Sequence, residues 1–161
     1  MRIHRSVFAW LSGVLVLAVF AWAQPPKAGL YETTSTMTWQ QSPFPNGMAP
    51  MQKPQTRLVC VTQEDIDKFG AVPPQTQKTC EVTNVVKKTS GMTAELVCTG
   101  AMSGKGDIQA SWDANNRTTS KIHFTGNANM GPNTQPFEWT VESTSVYKSA
   151  DCGDVKPIVT Q

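Results

Sequence analysis

A mainly all-β fold is predicted, an antiparallel meander curled into a half-barrel or barrel of about seven strands with one short helix. Three observations lead there. Apolar and polar residues alternate with a period of two in Thr-rich stretches, most clearly over 31–39 and 137–147. Clusters of glycine, asparagine and proline punctuate these stretches at short intervals, as hairpin connections do. Finally, CEVTNVVKKTSGMTAELVC over 80–98 reads as a single hairpin with a cysteine at each end. Only 63–69 shows a helical pattern.

The chain opens with an address. A short basic head carrying Arg2 and Arg5 precedes an apolar run over 7–20, and Ala21–Trp22–Ala23 supplies a small-x-small cleavage pattern before Gln24. Residues 1–23 are therefore read as a secretory signal peptide, because the run is short for a membrane anchor and small residues close it. The mature protein is expected in the periplasm or outside the cell, with no membrane span after cleavage. Formal charge is 14 Lys+Arg against 12 Asp+Glu, but Arg2 and Arg5 leave with the signal and no acid does. A neutral mature chain gives no electrostatic support for a nucleic-acid partner. Residues 24–154 are expected to form one disulfide-stapled domain and a monomer, with 155–161 as a C-terminal tail.

From Tyr31 the odd positions read Tyr, Thr, Ser, Met37 and Trp39, a first strand with period two. Residues 42–54 hold Pro43, Pro45, Pro50 and Pro54 and cannot be a helix or a central strand, since proline removes donors and fixes φ. This loop carries three large apolar residues, Phe44, Met48 and Met51. A strand over 55–61 then delivers Cys60. Thr62 with Asp65 three residues on opens a two-turn helix over 63–69, and Gly70 is placed to close it.

In the 80–98 hairpin, pairing Cys80 with Cys98 sets Val82 against Leu96 and Val86 against Met92, one face apolar and the other mostly polar. Beyond Cys98 the glycines Gly100, Gly104 and Gly106 read as a turn; Gly104–Lys105–Gly106 lacks the third glycine and following helix of a phosphate cradle. Residues 107–126 form a further hairpin. A three-residue loop at Asn115–Asn116–Arg117 would oppose Ile108 with Phe124 and Ala110 with Ile122, keeping apolar residues together and turning His123 outward. In the last strand Phe137, Trp139, Val141 and Tyr147 share one face.

Cys60, Cys80, Cys98 and Cys152 all lie in the exported part, where an even number of thiols implies two disulfides. The hairpin register selects Cys80–Cys98 and leaves Cys60–Cys152. No CxxC pair exists and His123 is the only histidine after the signal, so no metal and no cofactor are expected. A copper(I) site on Met48 and Met51 lacks a third soft ligand nearby.

Five short segments stand out together: Gly29–Leu30–Tyr31–Glu32, Cys60–Val61–Thr62–Gln63–Glu64–Asp65, Cys80–Glu81–Val82–Thr83, Cys98–Thr99–Gly100 and the terminal Asp151–Cys152–Gly153. In these the chain resembles the DUF3617 family, a bacterial exported domain of unknown function. The resemblance spans nearly all of the mature chain and implies a single exported domain. It transfers no catalytic residue.

An enzyme is not expected. One outward histidine offers no Ser–His–Asp or Cys–His constellation, and Glu138 and Glu142 share a solvent face rather than a cleft. The expected function is a non-catalytic binding module whose concave apolar face, with Phe44, Met48 and Met51 as contacts, holds an apolar or amphipathic small molecule. The alternative is an envelope structural or interaction protein that meets a protein partner through a sheet edge or the Pro/Met loop.

Overall fold

The computed structural model describes residues 25–44, 53–73, 78–130 and 133–157. The expected signal peptide, Met48, Met51 and the last residues of the expected tail lie outside them. Seven strands form one sheet: β1 (Gly29–Gln41), β2 (Gln55–Val61), β3 (Cys80–Lys88), β4 (Gly91–Cys98), β5 (Met102–Trp112), β6 (Arg117–Met130) and β7 (Asn133–Ser149). Helix α1 (Gln63–Phe69), the one helix among the described residues, stands between β2 and β3. Strands lie in the order β2-β1-β7-β6-β5-β4-β3, and every neighbouring pair is antiparallel.

β3 to β7 thus form a meander, and the first strand docks on the far side of the last. Strands β2 and β3 become the two edges, unpaired with each other, so the sheet curls without closing. The chain must pass from one edge to the other, and α1 makes that passage. Seven residues are too few for a helix stable on propensity alone. Its ends are fixed instead by a capping box between Thr62 and Asp65 and by Gly70 in the left-handed region, φ 71°. Its apolar side serves both halves of the sheet. Ile66 and Val72 pack with Tyr31, Val59 and Val61, while Phe69 and Ala71 join Met92, Leu96 and Trp112.

Both disulfides form as the sequence indicates. Cys80–Cys98 crosses directly opposed positions of the β3–β4 pair, and Cys60–Cys152 ties the segment after β7 to edge strand β2. Next to that tie, Pro157 bridges the edge at Cys60. At the same end of the sheet, one position from the Leu30–Cys60 pair, Tyr31 is fully buried, with its hydroxyl donating to the Lys27 carbonyl at 2.6 Å and accepting from the Lys27 N–H. Burial pushes the phenol up to about 12, the Lys27 hydrogen bond opposing and neighbouring Tyr147 adding slightly.

Three expectations, two of them of register, are corrected. In the β3–β4 hairpin, pairing runs from Cys80–Cys98 to Thr83–Glu95 as expected and then slips at a bulge, with Asn84 at φ 52°. The extra residue turns Val85 toward the core and Val86 outward, so Val86 opposes Thr93 rather than Met92 and is 55% exposed. In the β5–β6 hairpin the loop lies one residue earlier, at Ala114–Asn115–Asn116. Asp113 Oδ1 accepts from the N–H groups of Asn115 and Arg117, and Asn116 takes φ 56°. Ile108 therefore opposes Ile122, and Phe124 opposes Gly106. Both registers place the same residues on the inner face, so His123 is outward as expected.

The third correction concerns the glycines. Only Gly100 belongs to a turn, with φ 93°, whereas Gly104 and Gly106 are inside β5. A Cβ on either would come within 2.8 Å of the Phe124 ring and closer still to a β6 backbone carbonyl, Thr125 O for Gly104 and His123 O for Gly106, so ring and neighbouring backbone together keep these positions bare.

Candidate functional site

The inner face is built in cross-strand rows. Pairing of β2, β1, β7 and β6 aligns Arg57, Thr33, Ser145 and Thr118 in one row, and Gln55, Ser35, Ser143 and Ser120 in the next. Thr33 and Ser145 hydroxyls are 2.8 Å apart, and so are those of Ser35 and Ser143. The third row is aliphatic, Met37, Val141 and Ile122, continued by Ile108 on β5. A fourth is aromatic, Trp39, Trp139 and Phe124. Phe124 is stacked between Trp139 at 5.0 Å and Phe137 at 5.7 Å, and Trp39 meets Phe137 edge-on at 6.2 Å.

These rows enclose a cavity of about 610 Å³. Val72 and Pro73, just past α1, and Cys80, Leu96 and Cys98 on the opposite edge complete its wall. The volume falls within the range of small-molecule sites, and an apolar lining with a few convergent polar groups is their usual composition. Lys53 and Arg57 are the charged residues of the lining; it includes no acid and no histidine. Thr118 is only 2% exposed, and its Oγ1 has no hydrogen-bond partner, a condition shared by Trp112 Nε1 and Asn116 Oδ1 nearby in the chain. Buried polar atoms normally have partners, and among the described residues these three side-chain atoms are the exceptions; of them only Thr118 Oγ1 belongs to the cavity lining. A larger hollow, about 870 Å³, lies on the outer face, but it is wide open and lined mainly by Thr, Ser and Lys side chains suited to solvation.

Of the expected contact residues, Phe44 lines the cavity, half-buried, with its ring edge-on to Trp39 at 5.9 Å. Met48 and Met51 lie outside the described residues. Sequence reasoning missed the hydroxyl rows and Arg57. Parity marked the face of the hydroxyls, since Ser143 and Ser145 share it with Trp139 and Val141, and Thr33 and Ser35 with Met37 and Trp39, but their alignment across strands and the place of Arg57 had no local signal. The acids weighed for catalysis, Glu138 and Glu142, sit elsewhere, paired with His123 and Lys121 on the outer face. Among the described residues no group of three His, Cys, Asp or Glu side chains could hold a metal ion.

His123 Nε2 lies 2.8 Å from Glu138 Oε1 on the outer face, with both side chains substantially exposed. Exposed pairs of this kind contribute little. His123→Ala is expected to change unfolding free energy by no more than about 0.5 kcal/mol in urea titration. A loss above about 2 kcal/mol would mean that the ring is part of the core and that the β5–β6 register is wrong.

A protein-family model, described as a protein of unknown function (DUF3617), matches residues 26–152. No curated protein and no solved structure gives a significant match.

Proposed function

The chain belongs to the DUF3617 family, and we propose that it is an exported, non-catalytic binding module that holds an apolar or amphipathic small molecule inside its curled sheet. The cavity of about 610 Å³ carries this reading: it pairs an aromatic and aliphatic wall with two rows of hydroxyls. A domain that needed these residues only as core would fill the space, because interiors are close-packed and voids cost stability. Hydroxyls at the same site with no acid or histidine in the lining, and with Lys53 exposed, favour binding over nucleophilic chemistry, since a serine or threonine needs a base held against it to react. Export is supported by the N-terminal pattern together with two disulfides that leave no free cysteine. Among the described residues no helix is long and apolar enough to cross a membrane.

A different observation favours the second reading, an envelope interaction protein. Leu58 is 50% exposed and Val86 55% exposed, and each stands on one of the two edge strands. Exposed apolar edges are where a partner strand adds.

Native mass spectrometry of protein taken from its own export compartment, without refolding, separates the two. The expected spectrum contains a small-molecule adduct that organic extraction removes, leaving the bare mature chain. A complex with a second protein and no small adduct would replace this reading by the partner reading. Bare chain, with tryptophan emission unmoved by alkyl ligands, would reject the cavity as a binding site.

A further inference from the structure

We propose that the cavity selects a single-chain amphiphile with an anionic head, the head held by Arg57, Lys53 and the hydroxyl rows and the chain lying along the Met37–Val141–Ile122 row. This rests on the binding reading above and adds the class of ligand. Charge is the first observation. Both charged residues of the lining are cations, and no acid neutralises them: the ion pairs among the described residues are Lys121–Glu142, His123–Glu138 and Lys148–Glu32, all away from the cavity. Arg57 stands at the end of the first hydroxyl row, directly opposite Thr33, and a guanidinium fork matches a carboxylate or a phosphate.

Hydrogen-bond capacity is the second. The Thr33–Ser145 and Ser35–Ser143 pairs each contain two hydroxyl hydrogens and one hydrogen bond, so each pair keeps a donor to offer. Thr118 adds a nearly fully buried hydroxyl with no partner, on the lining of the same cavity. A cation and several spare donors, with no acidic acceptor, are the complement of an anion.

Width is the third. Inward-facing rows are two residues apart, about 7 Å along a strand. The aliphatic strip between the hydroxyls and the aromatic stack is one row wide, which seats one alkyl chain crossing the strands and leaves no second lane.

The test titrates the mature, disulfide-intact protein with oleate, with a lysophosphatidate of the same chain and with neutral monoolein, each below its aggregation threshold. Emission of Trp39 and Trp139, which line the cavity, reports binding. Both anions are expected to bind at least tenfold more tightly than monoolein. In Lys53→Gln/Arg57→Gln that preference should fall to threefold or less, with monoolein binding unchanged. Thr118→Val should weaken oleate several-fold while the folded-state circular dichroism stays the same. Monoolein binding as tightly as oleate, or a preference that survives in the double variant, would overturn the anionic head and leave the binding module standing. Failure of all three to bind would overturn both.

Discussion

Replacing Cys60 and Cys152 together by serine is expected to lower the unfolding free energy by about 4–5 kcal/mol, more than the same change at Cys80 and Cys98, about 3 kcal/mol. The difference follows from chain length. Cys60–Cys152 spans 92 residues and Cys80–Cys98 spans 18, and on the chain-entropy account the longer loop removes more freedom from the unfolded state. Local structure points the same way. Cys80 and Cys98 are held opposite one another by a hairpin that pairs on both sides of them, so their bond repeats a constraint already present. Cys60 has no such support: the segment after β7 meets edge strand β2 at this bond and at the Pro157 bridge beside it. Domains of this kind are stable by only about 5–15 kcal/mol, so the first loss should be visible as a large drop in the urea midpoint. Equal losses at the two bridges, or a larger one at Cys80–Cys98, would reject this ranking.

What the sequence made legible, and what it hid, divides along a physical line. Parity along a strand is local, so the inner faces of β1 and β7 could be read directly from alternation at Thr33–Trp39 and Phe137–Tyr147. The cap at Thr62, the stop at Gly70 and the opposition of Cys80 to Cys98 are equally local, and each appears in the fold. Register fails where a single residue leaves the ladder. Nothing in Thr83–Asn84–Val85 announces a bulge except that Val85 was an apolar residue on the polar side, and the bulge resolves that anomaly. The Asp113 side chain moved the next loop by capturing two N–H groups, a preference of Asp that apolar pairing alone does not reveal, since both registers keep the apolar residues on one face.

The candidate site was half visible for a related reason. Its aromatic wall is marked by residue type. Its polar half exists only because β1 pairs with β7, more than 100 residues away in the chain, which aligns serines and threonines that look like ordinary strand composition. Arg57 enters the same row once β2 pairs with β1. Long-range pairing of this kind leaves no trace in a local window.

Phe124→Ala is expected to cost about 3–5 kcal/mol, since it empties a 2% exposed site between two stacked rings. Gly106→Ala is expected to cost about 2 kcal/mol, because a Cβ there meets Phe124 Cδ2 at 2.8 Å and also presses on the His123 carbonyl across the strand pair. If the ring explains the glycine, the two changes must couple. With the ring gone, the first of these clashes disappears and the second remains, so Gly106→Ala in the Phe124→Ala background should cost about 1 kcal/mol less than alone. Urea unfolding of the four proteins measures that difference. Additive costs would show that the ring is not what keeps position 106 bare, and would leave only the close approach of the β5 and β6 backbones to account for a glycine in mid-strand.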